Sequence, residues 1–243
     1  MVHTLPDYTT KYKMTTIFGN IDSGELAARL GSINTYDRRG KTIWMDGFEH
    51  AILTWNDDGI GAGGSAALST AAARNGDTSC KIVTGAVAGN EWYIRKRGNY
   101  PALSQIGCET SLCIISNDGL YEIHLHIRST GGLYRGAVQY KKSNNTWYVM
   151  DDAGVFRPVS AEGEVSDDTY HFTTAKMVID YTTKKYVRLM VADNTWDLSA
   201  YTMRYQALGG IPFIGVLLRC EAETNNAVTA YVDDVIVTQD EEG

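Results

Sequence analysis

The chain has 243 residues, of which 44% are hydrophobic and 21% are charged, and this composition excludes a predominantly disordered protein. Its length allows one large domain with a core that does not depend on disulfides. Asp and Glu number 29 against 22 Lys and Arg, and the resulting net charge of −7 argues against non-specific binding to nucleic acid phosphates. We expect no membrane insertion and no cleavable secretion signal, because no apolar run has the length or the flanking pattern that either requires.

Residues 1–41 differ from the rest of the chain. Asp22 is a candidate helix N-cap with Glu25 three residues later, and Gly31 stands where a helix C-cap favours glycine. This spacing predicts a short helix over residues 22–31, preceded by an extended and mostly polar arm. The large apolar side chains of the region are candidates for contacts between subunits, namely Tyr8, Tyr12, Phe18, Leu26 and Leu30.

From residue 42 onward the pattern predicts β-strands. Segments rich in Val, Ile, Tyr, Thr and Trp are separated by turn-forming residues and contain no helical periodicity. The predicted strands cover residues 42–45, 48–55, 80–84, 91–97, 111–116, 121–128, 133–140, 146–150, 175–181, 185–192, 213–220 and 228–238. So many short strands without interleaved helices predict an all-β protein, with an antiparallel β-sandwich or jelly roll over residues 42–238 and an acidic tail at 239–243.

The cysteines Cys80, Cys108, Cys113 and Cys220 match no zinc or redox spacing. A core of this size does not need disulfides, so the four thiols are expected to be reduced and buried. A Cys108–Cys113 or a Cys80–Cys220 bridge is the alternative.

Three segments resemble known jelly-roll families. The sequence WMDGFE at residues 44–49, followed by Trp55, is similar to the opening of carbohydrate-binding-module-like jelly rolls. The sequence AYVDDVIVT at residues 230–238 looks like the closing strand of the same sandwiches, and residues 175–199 resemble paired strands of concanavalin A-like lectin and glucanase domains. The resemblance implies a concanavalin A-like fold, which occurs in binding proteins, enzymes and virion proteins alike.

The resemblance also implies a candidate metal site. In carbohydrate-module jelly rolls a structural Ca²⁺ often joins the first and last strands through oxygen ligands. Glu49, Asp233 and Asp234 occupy the matching positions. Alternatively, the two aspartates end the strand pairing or face solvent. No other cofactor is expected.

One predicted strand has two chemically distinct faces. Tyr121, Ile123, Leu125 and Ile127 form an apolar face, and the other face carries Glu122, His124, His126 and Arg128. The polar face is a candidate ligand groove on the concave side of the sandwich. Exposure to solvent, a subunit interface, or a transition-metal site completed by a third ligand are the alternatives.

Two tryptophans are candidates for stacking on sugar rings. Trp92 and Trp147 each precede a tyrosine in a predicted strand, so one aromatic of each pair faces the core and the other faces outward. An outward aromatic ring offers an apolar platform to a sugar or to a partner subunit.

The strand-borne carboxylates Glu122, Asp180, Asp233 and Asp234 lack the spacing of a glycosidase pair, so no enzyme is expected. Residues 22–49 loosely resemble phage and viral structural proteins that carry a sandwich domain. We therefore expect a non-enzymatic structural or decoration protein of a virion, made in the host cytoplasm, that assembles through its N-terminal arm with identical subunits and other virion proteins. The alternative is a glycan-binding module, extracellular or at a cell surface, and a polysaccharide-cleaving enzyme is a third hypothesis.

Overall fold

A computed structural model describes residues 36–37, 39–99 and 104–241. In this part of the chain 16 strands form two eight-stranded sheets, and every strand pair is antiparallel. The predicted all-β antiparallel sandwich is confirmed. The strands are β1 (Lys41–Asp46), β2 (Asn56–Ile60), β3 (Ser65–Ser69), β4 (Ser79–Val83), β5 (Glu91–Gly98), β6 (Gln105–Ile114), β7 (Leu120–Arg128), β8 (Leu133–Lys141), β9 (Thr146–Met150), β10 (Phe156–Ser160), β11 (Thr173–Asp180), β12 (Lys185–Val191), β13 (Asn194–Asp197), β14 (Arg204–Gln206), β15 (Phe213–Glu221) and β16 (Thr229–Gln239).

The two sheets are assembled from strands that are distant in sequence. Sheet A has the order β13-β12-β11-β6-β16-β4-β3, and β1 pairs with the second half of β16. Sheet B has the order β10-β9-β8-β7-β15-β5-β2, and β14 pairs with β8. The first and last strands of the sandwich are therefore neighbours in sheet A, while sheet B places β7 beside β15.

The core lies between the sheets and is filled by alternate residues of the strands. In β7 the apolar residues Tyr121, Ile123, Leu125 and Ile127 are all fully buried in it, which confirms the predicted alternation. The β-branched and aromatic residues of this strand suit a pleated surface that is covered on one side. Its polar residues consequently point away from the core, toward the outer face of sheet B.

One predicted strand is wrong. Residues 48–55 form a connection between β1 and β2, although Phe48 and Trp55 at its two ends are both buried. Phe48 has a φ of 57°, in the left-handed region, and its N–H donates to Asp46 Oδ1 at 2.9 Å. This local turn ends β1 because a left-handed residue cannot continue the extended backbone.

Several short strands were not predicted, namely β2, β3, β10, β13 and β14. The chain beyond residue 238 also differs from a solvated tail, because β16 continues to Gln239 and Glu241 is 4% exposed. The four cysteines are free and buried, and burial raises the pKa of Cys80, Cys108 and Cys113 to about 12. No helix in the described residues is long and apolar enough to cross a membrane.

The predicted helix over residues 22–31 lies outside the described residues. The same is true of the candidate assembly residues Tyr8, Tyr12, Phe18, Leu26 and Leu30.

Candidate functional site

Outward side chains of four adjacent strands of sheet B line a groove of about 360 Å³. The strands are β5, β15, β7 and β8, in that order across the sheet. We call this feature the sheet B groove. Its principal side chains are polar, cationic or aromatic, namely Tyr93, Arg95, Arg97, His124, His126, Arg128, Arg135, Phe213 and Arg219.

Strand register sets the order of the residues across the groove. Arg97 pairs with Gly215, Gly215 with His126, and His126 with Arg135. Because neighbouring strands lie about 4.8 Å apart, the Cα atoms of the two arginines are about 14 Å apart. Of the two positions between them, His126 carries a side chain and Gly215 does not. A Cβ at this position would lie 3.0 Å from Phe213 Cε2, so glycine lets the Phe213 ring approach the backbone.

A buried carboxylate lies beneath one part of the floor. Glu122 is 1% exposed, and Gln139 Nε2 donates to its Oε1 at 2.6 Å. Its Oε2 accepts a hydrogen bond from Arg219 Nη1 at 2.9 Å and lies 2.6 Å from His124 Nε2. Burial alone would raise the pKa of Glu122, but His124, Arg219 and Gln139 outweigh burial and hold the pKa below its ordinary value.

Arg219 joins this carboxylate to others on the same face. Its Nε lies 2.7 Å from Glu91 Oε2, and its Nη2 contacts Glu221. Arg219 therefore has three carboxylate partners, Glu91, Glu122 and Glu221. The charge of this arginine is satisfied within the protein.

The four other arginines of the groove form no ion pair with any residue that the structure describes: Arg95, Arg97, Arg128 and Arg135. The Arg97 guanidinium lies 4.7 Å above the centre of the Phe213 ring, and that of Arg95 lies 5.9 Å from the centre of Tyr93. Arg135 Nε is buried and has no hydrogen-bond partner among the described residues. Burial, together with the charges of Arg204 and Arg219, lowers the pKa of Arg135.

The neighbouring cationic side chains also shift the pKa of His126. Burial and the positive charges of His124, Arg135 and Arg97 hold the pKa of His126 well below its usual value. Its imidazole is therefore neutral at neutral pH, and its Nε2 is buried without a hydrogen-bond partner among the described residues. On the predicted polar face of β7, Glu122 is thus buried beneath the groove, whereas His124, His126 and Arg128 line it.

Arg128, the last predicted residue of this face, holds one wall of the groove. Its Nε donates to Leu208 O at 3.0 Å and its Nη2 donates to Gly209 O at 2.7 Å. These bonds attach the segment between β14 and β15 to the end of β7. Arg128 is thereby a positioning residue for the wall as well as a lining residue.

The structure corrects both tryptophan assignments. Trp147 is 0% exposed, packs against Tyr140, and donates from Nε1 to Gly163 O at 2.8 Å, so it cannot stack on a ligand. Trp92 is half-buried and packs against the core. The outward aromatic of that pair is Tyr93, which lines the groove and donates to Asp58 Oδ2 at 3.2 Å. The alternation of the strand allowed either aromatic residue of each pair to face outward, and in both pairs it is the tryptophan that faces the core.

The candidate calcium residues lie at another end of the sandwich and bind the segment 74–78. Asp233 Oδ2 accepts the Arg74 N–H at 2.8 Å, Asp234 Oδ2 accepts from Arg74 Nη1 at 3.1 Å, and Glu49 Oε1 accepts the Thr78 N–H at 2.9 Å. The described residues contain no group of three or more His, Cys, Asp or Glu that could hold a metal. The three carboxylates thus do not converge on one cation position in this arrangement, and calcium binding stays a prediction.

No protein-family model matches the chain, and no curated protein matches it. Solved structures match its fold. A Bacillus subtilis protein of unknown function with a galectin-like fold is similar, with a TM-score of 0.55 and 14% identity over 83% of this chain and 97% of that chain. The endo-β-1,4-glucuronan lyase of the fungus Trichoderma reesei matches with a TM-score of 0.52 and 9% identity, over 82% and 96% of the two chains. The cellulose-induced protein Cip1 matches with a TM-score of 0.51 and 16% identity, over 80% and 96%. At these identities the matches show a shared fold, and they confirm the concanavalin A-like jelly roll.

Proposed function

We propose that this protein binds a glycan in the sheet B groove. The observation that carries the proposal is the composition of the groove, in which Tyr93 and Phe213 lie among polar and cationic side chains. Ligand sites commonly combine apolar surfaces with a few polar groups that fix orientation. Aromatic rings provide the apolar surface that the CH faces of sugars require, and the arginines provide hydrogen-bond donors for their oxygen atoms.

The groove supports binding more than hydrolysis by a pair of carboxylates. A glycosidase uses two carboxyl groups roughly 5–10 Å apart, and one of them needs a raised pKa to act as an acid. Here Glu91 and Glu122 are both held by Arg219, and the pKa of Glu122 is lowered. A non-enzymatic role is therefore part of the proposal. The name of one structural neighbour, glucuronan lyase, supports a sugar polymer as the ligand class.

The wider setting that we propose is a phage or virus particle. The support is the resemblance of residues 22–49 to phage and viral structural proteins, in which a sandwich domain follows a helix. In such a particle residues 1–41 would join identical subunits, and the sheet B groove would bind a glycan on the host surface.

A glycan array probed with three matched proteins tests the binding proposal. The wild-type protein is expected to show saturable binding that Tyr93→Ala weakens about tenfold, or ~1.4 kcal/mol, because the substitution removes an aromatic surface of the groove. Tyr170→Ala is the control, since Tyr170 is 89% exposed and lies outside the groove. Absence of any bound glycan, or equal losses in the two variants, would refute binding at this groove.

A further inference from the structure

The sheet B groove carries positive charge in a protein whose net charge is −7. Five arginines line the groove, and Arg219 is the one whose charge the described carboxylates neutralise. Arg128 donates to carbonyl oxygens, which leaves its formal charge in place. The remaining three are Arg95, Arg97 and Arg135. The local charge of the groove is therefore opposite to that of the whole chain.

The fold holds one of these cations, Arg135, at a cost. Arg135 lies close enough to Arg204 and Arg219 for their charges to disfavour its own, and its buried Nε has no described partner. A polar group that is buried without a hydrogen-bond partner destabilises the folded protein, because it loses its hydrogen bonds to water and forms none within the protein. Groups of this kind cluster at functional sites, where a ligand can supply the missing partner.

Arginine side chains are suited to carboxylate ligands. A guanidinium group presents its donors in a planar fork that matches the two oxygens of a carboxylate. The centre of the Arg97 guanidinium lies 4.7 Å from the centre of the Phe213 ring, and the Arg97 side-chain donors form no hydrogen bond with the residues that the structure describes. Arg97 and Arg135 lie about 14 Å apart across the sheet, too far for one small carboxylate to contact both.

Building on the proposed glycan binding, we infer that the ligand is an acidic polysaccharide, a chain of uronate sugars that lies across the strands. Arg97 and Arg135 bind carboxylates on different sugar residues, and Arg95 adds a third cation along β5. Tyr93 and Phe213 contact the sugar rings, and Gly215 lets the Phe213 ring lie close to the floor of the groove.

Calorimetry with polyuronates and their methyl esters tests this inference, because esterification removes the charge and keeps the chain. The probes are polygalacturonate, polyglucuronate and alginate. At least one acid form is expected to bind, with its ester at least tenfold weaker, and an increase in NaCl from 50 to 500 mM should weaken the acid form strongly.

Substitutions then test whether the arginines of the groove bind the polyuronate. The double substitution Arg97→Gln and Arg135→Gln is expected to weaken polyuronate binding about 100-fold, at roughly tenfold for each charged contact. Arg157→Gln is the control, because Arg157 pairs with Asp151 and does not line the groove. Circular dichroism and thermal denaturation establish that each variant folds.

The outcomes separate the inference from the proposed function. Equal binding of acid and ester forms, or binding of neutral glycans alone, would overturn the inference and leave glycan binding intact. Failure of every acidic and neutral glycan would remove both. An oligonucleotide bound as tightly as the polyuronate would show general attraction of polyanions and would also overturn the inference.

Discussion

The outer faces of the two sheets both carry cations, but the fold pairs the cations of the two faces differently. On sheet A, Lys176 is 0% exposed and lies 2.6 Å from Glu241 Oε1 and 3.1 Å from Asp37 Oδ2. On sheet B, Arg97 and Arg135 have no carboxylate partner among the described residues. A cation that the fold neutralises contributes to structure, whereas a cation that the fold leaves uncompensated is available to a ligand.

The sheet A network joins both ends of the described chain to the sandwich. Arg188 Nη2 lies 2.8 Å from Glu241 Oε2, and the N–H of Tyr36 donates to Glu109 Oε1 at 2.6 Å. Lys176 also contacts Asp37, in the segment that leads into β1. The network therefore covers the outer face of sheet A with the chain ends, and the equivalent face of sheet B stays open as a groove.

The largest expected effect is the loss of Lys176. The substitution Lys176→Met leaves Asp37 and Glu241 without this cation in a buried setting, which we expect to lower the free energy of unfolding by about 3–5 kcal/mol. Urea denaturation measures the change. Lys185→Met, at an exposed residue of the neighbouring strand β12, is the control and is expected to change stability by less than about 0.5 kcal/mol. If the two variants were equally stable, the network would not be what stabilises this face.

The sequence predicted the faces of single strands better than it predicted either network. In β7 every residue's direction followed from alternation, because the signal lies within one short segment. The groove combines β5, β7, β8 and β15, and nothing in one strand specifies which strand pairs with it. Arg97, Arg135 and Gly215 were missed for this reason.

Two signals for these networks were nevertheless present in the sequence. Arg95, Lys96 and Arg97 form a basic run in an acidic chain. Lys176 lies between Ala175 and Met177 in a strand whose other residues are mostly apolar, which is an unusual place for an unpaired lysine. Its partner Glu241 belongs to a segment whose composition resembles a solvated tail. The pairing could be seen only after the fold had brought β11 close to the end of β16.

A smaller expected effect concerns Glu109 on sheet A. Burial raises its pKa to about 7, although the N–H groups of Tyr36 and Asp37 and the charge of Lys176 oppose this. The folded protein therefore holds a proton that the unfolded chain releases near pH 4.5, so stability falls as pH rises from about 4.5 to 7. Urea denaturation at pH 5 and pH 8 should show that Glu109→Gln loses less stability than the wild type across this range, by about 1–3 kcal/mol.

Asp233 provides the control for that pH dependence. Burial and the charge of Asp234 raise its pKa to about 7, so it titrates in the same range on the neighbouring strand β16, where it pairs with Ser111, two residues from Glu109. Asp233→Asn should remove another part of the dependence, and because Arg74 acts on both carboxyl groups the two effects should fall short of full additivity. A Glu109→Gln profile as steep as that of the wild type would show that burial does not raise the pKa of Glu109 in this way.

The smallest expected effect is the most informative about the sheet B groove. Burial and the charges of Arg204 and Arg219 disfavour the charge on Arg135. We therefore expect Arg135→Gln to leave the free energy of unfolding unchanged or to raise it by about a few tenths of a kcal/mol. The gain should shrink at high salt, because salt screens the repulsion between the arginines. The same substitution at Arg128 removes two hydrogen bonds to carbonyl oxygens and should cost about 1 kcal/mol. Thermal denaturation at low and high NaCl measures both. A large loss of stability in Arg135→Gln would make this arginine a structural residue like Lys176, and the difference between the two faces would then disappear.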